Sequence, residues 1–236
     1  MSLFGVIASS KQSVFNPLSV AGCKLWLKAD VGITKDGGDL VSNWADQSGN
    51  SNDLAQATGT NQPLWVDSAH ASKPTIRFDG VDNFLQIQPF ATGSHTQPVT
   101  IFIVCTIPSD SGGNRMIYMA GTVGGATRCQ FYTNGTPKYG IYAGSAEVFS
   151  AEAPSTALAY FTVKYNGASS EVRRNTTQII SGNPGANNPN GMTLASQDAG
   201  ADFANIDICE VLFYDASITG TDLTDIETYL AGRWGL

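Results

Sequence analysis

Charge is scarce in this sequence, and none of it is concentrated. Asp, Glu, Lys and Arg make up 14% of the 236 residues, against about 25% in an average soluble domain. Twenty acidic and 13 basic residues leave a net charge of −7. The one basic doublet, Arg173-Arg174, would point to opposite faces of a strand. With no basic cluster to meet phosphates, nucleic acid is excluded as an expected partner. The acidic balance favours solubility and names no ligand.

Reactive residues are few as well. The four cysteines, Cys23, Cys105, Cys129 and Cys209, are scattered without a CxxC or Cys/His pairing, so a structural zinc site is not expected. Cys105 and Cys209 sit in apolar runs, a context that favours buried free thiols over disulfides. Two histidines, His70 and His95, lie in polar, loop-like stretches and read as surface residues. GxSxG, HExxH and P-loop patterns are all missing, so no catalytic set is expected. No apolar run approaches the roughly 18 residues of a membrane span. The opening patch Leu3 to Ala8 lacks a preceding positive charge and is too short for a signal-peptide core. The expectation is synthesis in a cytoplasm without membrane insertion, with any display on a surface following lysis or assembly.

What is present is apolar surface and turn chemistry. The chain is 42% hydrophobic and 10% aromatic, with 25 glycines, which suits a folded, turn-rich β protein and not a disordered one. Residues 1–22 show no periodicity and read as an N-terminal arm, or alternatively as an edge strand folded back on the body. Residues 23–236 read as one domain, since no linker divides them. Lys24 to Lys28 alternates around Trp26, Asp36-Gly37-Gly38 marks a turn, and Leu40 to Trp44 is a second strand. Asp79-Gly80, between Pro74–Phe78 and Phe84–Ile87, predicts a hairpin. Val99 to Ile107 and Ile206 to Tyr214 are apolar on both faces, while Tyr160 to Tyr165 alternates. One helix is expected at the end: Thr219 as cap, Asp222 and Asp225 early, Leu223, Ile226 and Leu230 on one face, and Gly232 as its stop. Trp234 and Leu236 are expected to pack back onto the body. Many short strands and one terminal helix predict an all-β, two-sheet antiparallel sandwich.

Three blocks carry a family resemblance. Leu25-Trp26-Leu27-Lys28-Ala29-Asp30 with Val41 to Asn50 resembles the opening of a laminin-G-like domain, of the concanavalin A-like jelly-roll class. Lys73 to Gly80, with Asp82 and Phe84-Leu85, resembles its middle. Glu210 to Asp215 and Glu227 to Leu236 resemble its end. The resemblance implies a jelly-roll sandwich with Trp26, Trp44 and Trp234 in the core. It is similar to modules of bacterial surface proteins, secreted enzymes and phage virions, some binding glycans or calcium and some purely structural; fold alone does not choose among them.

Three sets of site candidates follow. Asn205-Ile206-Asp207-Ile208-Cys209-Glu210 resembles the acidic strand of jelly-roll endoglucanases, which carries Glu, Asp and Glu. Here Asn205 stands where the nucleophile belongs and cannot form a glycosyl ester, so no catalytic residue is assigned. Asp46, Asp79 and Asp82, near Asn50 and Asn83, are oxygen ligands suited to Ca2+, or else ordinary turn residues bonding their own backbone. Trp65, Tyr118, Tyr132, Tyr139 and Tyr142, with Asn134, are candidates to stack on and read a glycan, or else ordinary sheet packing.

The function expected is therefore non-catalytic: a structural or display protein of a phage virion, in the head decoration or tail, with possible glycan adhesion. The arm would fasten it to other structural proteins, and a homo-oligomer is compatible. A lectin-like carbohydrate-binding module is the alternative, and a glycoside hydrolase a distant third.

Overall fold

In the computed structural model the chain is described over residues 15–107, 113–198 and 200–236. Its strands are β1 (Cys23–Lys28), β2 (Ile33–Lys35), β3 (Val41–Trp44), β4 (Leu54–Ala55), β5 (Leu64–His70), β6 (Lys73–Asp79), β7 (Leu85–Ile87), β8 (Val99–Cys105) and β9 (Arg115–Ala120). They continue as β10 (Cys129–Thr133), β11 (Tyr139–Tyr142), β12 (Val148–Phe149), β13 (Ala159–Tyr165), β14 (Ser170–Arg174), β15 (Thr177–Gly182), β16 (Met192–Leu194) and β17 (Asn205–Tyr214), and α1 (Gly220–Trp234) follows.

The strands form two antiparallel sheets. An eight-stranded sheet runs β15-β14-β13-β8-β17-β6-β5, with β1 also on β17. A nine-stranded sheet runs β12-β11-β10-β9-β16-β7-β4-β3-β2. Between them lies the main core, including Trp44, Phe78, Phe131, Phe161 and Phe213. Tyr165 crosses it, donating its hydroxyl to the Gln130 carbonyl at 2.6 Å. The alternation in Tyr160 to Tyr165 sends Phe161, Val163 and Tyr165 into this core.

β8 and β17 are buried on both faces for a reason visible in the layering. The eight-stranded sheet is covered outside by α1, so the outward residues Phe102, Val104, Leu212 and Tyr214 form a second apolar layer with Ile226, Leu230 and Trp234. A bulge in β17 between Ile208 and Glu210 turns both Cys209 and Glu210 toward that layer. It also marks a change of neighbour, from β6 at Asn205–Ile208 to β1 at Glu210–Tyr214. All four cysteines are free, three of them buried.

Several expectations need correction. Asp79-Gly80 closes no hairpin, because β6 belongs to one sheet and β7 to the other. The turn there crosses the sandwich, with Gly80 at φ 78° lying so close to Asn205 that a Cβ would meet its nitrogen at 2.9 Å. Thr219 stands at the N-cap of α1 but makes no capping bond, and the helix passes Gly232 to end at Gly235 in the left-handed conformation. Trp234 packs inward while Leu236 is exposed. Of the expected arm, residues 1–14 lie outside the described residues. Residues 15–22 are docked: Asn16 caps a short turn over Pro17–Ser19, Phe15 packs on Tyr229, and Tyr214 donates to the Pro17 carbonyl at 3.0 Å. His95 is buried against Phe90 and Phe213 and is no surface residue.

Candidate functional site

α1 occupies one outer face, which leaves the outward face of the nine-stranded sheet to be considered. Strand alternation divides the predicted aromatics between its two sides. Tyr118 and Tyr139 point into the main core and are fully buried, so neither presents a ring to a ligand. The Tyr139 hydroxyl accepts from the Ser155 backbone N–H at 3.0 Å, and the Tyr118 hydroxyl is buried with no partner among the described residues. Trp65 lies on the other sheet, in β5, donating to the Ala29 carbonyl at 2.9 Å under the Lys35 ammonium. Asn134 shapes the β10–β11 turn, accepting from the Lys138 N–H at 3.0 Å. These four are thus not brought together.

Tyr132 and Tyr142 do meet, on the outward face, in a small cluster with Met116 and Met119. Gln130 of β10 pairs with Tyr142 of β11, and Tyr132 with Gly140. Around them the structure adds residues with no period or motif to announce them. The Arg128 guanidinium lies over the Tyr142 ring, 4.7 Å from its centroid, a cation–π arrangement. Its backbone is held by the turn, with the Arg128 carbonyl accepting from Asn187 Nδ2 at 3.0 Å. Glu147 accepts the Tyr132 hydroxyl at 2.6 Å. Burial, then the bond to Glu147, push the Tyr132 hydroxyl up, so it stays a donor at neutral pH. Asp202 approaches from beyond β16, its carbonyl accepting from Met116 N–H at 2.9 Å. Burial raises its carboxyl despite Arg115 and Arg128 nearby. Phe149, 37% exposed, stands edge-on to Tyr132 at 6.2 Å. Gly140 makes room for this pair, since a Cβ there would meet the Phe149 ring at 2.8 Å and the Tyr132 ring at 2.9 Å.

The patch therefore combines an exposed ring, a guanidinium and two carboxylates on a rigid sheet. Rings cover the apolar faces of a ligand, and carboxylates accept from its hydroxyls.

The acidic strand is occupied structurally. Asp207 takes two bonds from Arg77, at 2.7 and 2.8 Å, and one from His70 at 2.9 Å. Glu210 is fully buried under α1 and accepts from Trp26 Nε1, Tyr229 Oη and Trp234 Nε1.

The three aspartates expected as Ca2+ ligands each accept hydrogen bonds from the protein itself. Asp46 accepts the N–H groups of Trp26, Ser48 and Asn52 and the Ser48 hydroxyl, so protons point at both of its oxygens. Asp79 accepts from the backbone of Val81 and Asp82, and Asp82 from Asn83. This is turn chemistry. Among the described residues no group of three His, Cys, Asp or Glu side chains is placed to hold a metal.

With fold and site described, comparison with known proteins is informative about the first. No family model and no curated protein matches the chain. Solved structures do. Trypanosoma rangeli sialidase aligns at TM-score 0.63 and 15% identity, over 91% of this chain and 33% of that one. The ligand-binding domain of botulinum neurotoxin serotype D, in complex with N-acetylneuraminic acid, aligns at 0.60 and 8%, over 88% and 50%. The receptor-binding domain of mosaic serotype C/D aligns at 0.61 and 7%, again over 88% and 50%. This chain thus spans about a third to a half of the proteins it matches. The likeness is one of fold: a β-sandwich consistent with the jelly-roll, lectin-like type.

Proposed function

We propose that this protein is a non-catalytic, lectin-like display module that binds a glycan on the outward face of the nine-stranded sheet. The observation that carries the reading is the patch of Tyr132, Tyr142, Phe149, Arg128 and Glu147, where aromatic surface and polar groups converge. Support also comes from neighbours of the same fold, one of which was solved with a bound sugar acid. The test is a glycan array with the purified protein, repeated with Ca2+ and with a chelator. Saturable binding to one sugar class is expected, with Tyr142→Ala and Phe149→Ala each weakening it at least tenfold, about 1.4 kcal/mol. Unchanged binding in both variants would sink the site. Because the loop aspartates already accept hydrogen bonds from the protein itself, chelation is expected to leave binding intact.

The setting we propose is a virion or surface assembly, with the module as a head-decoration or tail-associated subunit. The docking of Phe15 and Pro17 beside α1 favours this reading, because it sets the first described residues on the face away from the glycan patch. Deleting residues 1–14 should abolish incorporation into purified particles and leave glycan binding unchanged. Incorporation at the wild-type level would remove the arm from the proposal.

A further inference from the structure

A second recess lies on the opposite side of the molecule, between α1 and the eight-stranded sheet. Thr224, Glu227, Thr228 and Ala231 line it from one stripe of the helix, as their spacing of three and four residues requires. Tyr160 of β13 and Thr176 of the β14–β15 turn line it from the sheet. Its volume is about 320 Å³, at the small end of the roughly 300–1,000 Å³ of small-molecule sites.

Its polar groups are not equally free. Glu227 is buried, accepting from Thr162 Oγ1 at 3.1 Å and from Arg173 Nε at 3.0 Å. Tyr160 is only 2% exposed, and its hydroxyl makes no hydrogen bond to any described residue. Burial, then the charge of Glu227, push that hydroxyl up to about 12, so it stays a donor. The ring is packed away while the hydroxyl opens on the recess, free to donate to whatever occupies it. The threonine hydroxyls beside it both donate and accept. Arg173 is already paired with Glu227.

From this we propose that the recess under α1 is a second ligand site, taking a neutral, monosaccharide-sized polyol whose oxygen accepts from Tyr160. An acid could accept from the same hydroxyls but would also meet the Glu227 charge, which favours a neutral ligand.

Gly232 also lines the recess, and a Cβ there meets nothing within 4 Å. Gly232→Leu therefore fills the space without strain and replaces a poor helix former. The experiment is saturation-transfer NMR and titration with methyl glucoside, methyl mannoside, methyl galactoside and glucuronate. Wild type, Gly232→Leu, Tyr160→Phe and Tyr142→Ala are compared, with thermal melts confirming that each folds. At least one neutral glycoside should bind saturably, glucuronate at least tenfold more weakly. Gly232→Leu should abolish binding, Tyr160→Phe should weaken it about tenfold, and Tyr142→Ala should leave it unchanged. Binding that survives in Gly232→Leu, or that is absent for all three glycosides, overturns the proposal. Loss in Tyr142→Ala alone would assign the sugar to the outward face of the nine-stranded sheet and overturn it too.

Discussion

Trp234, near the end of α1, donates its indole N–H to Oε2 of Glu210 in the bulge of β17, at 2.8 Å. The same carboxylate takes Trp26 Nε1 at 2.7 Å and Tyr229 Oη at 2.9 Å on its other oxygen. Arg233 Nε lies 3.0 Å away, while its Nη2 grips Asp30. One buried charge thus ties the first strand, the last strand and the helix together.

Glu210→Gln should therefore be severe. Gln offers one acceptor oxygen and turns an NH2 toward donors, leaving buried indole or phenol groups unmet. Breaking such a network costs roughly 3–5 kcal/mol, or about 6–20 °C in melting temperature for a domain of this size. Differential scanning calorimetry measures it; a drop under about 2 °C would mean that apolar packing alone holds α1.

Acid should destabilise the protein in two separate windows. Burial, only partly opposed by Asp215, lowers the His95 pKa from 6.5. The unfolded chain then takes up that proton first, so stability present above about 6.5 is lost as pH falls through the folded value. Burial opposes ionisation of Asp207, but Arg77 and His70 outweigh it and hold the carboxyl below 3.8. Its contribution is present above about 3.8 and is lost below. Melting temperatures from pH 3 to 8 should show that His95→Gln flattens the upper window and Asp207→Asn only the lower.

Gly140→Ala should separate binding from folding. The new Cβ falls under 3 Å from the Phe149 and Tyr132 rings, but both are movable ring atoms. A loss of about 1–3 kcal/mol is expected from overpacking. Glycan affinity should fall at least tenfold, as measured by titration, because the ring pair is displaced.

Tyr118→Phe should do the opposite. Removing a buried hydroxyl that has no partner among the described residues should leave stability equal or raise it by about 1 kcal/mol. Chemical denaturation reads this directly. Glycan binding should not change, since the ring faces the core.

The sandwich class was legible in the chain itself. Apolar runs at β8 and β17, alternation at β13, and turn residues between them follow from the two-residue repeat of a strand and the φ preferences of Gly, Asn and Asp, all local properties. The burial of Trp44 and Trp234 followed from resemblance, whereas Trp26, expected in the core with them, is only half-buried. What sequence left undecided was pairing. Asp79-Gly80 reads as a hairpin by its own chemistry, yet the strands on either side enter different sheets, a choice made by partners more than a hundred residues away. The same holds for the site. Alternation says that Tyr139 and Tyr142 face opposite sides, but only the placement of the two sheets decides which side is core. Arg128, Glu147, Phe149 and Asp202 come from separate loops and strands, and the folded sheet alone brings them around Tyr132 and Tyr142.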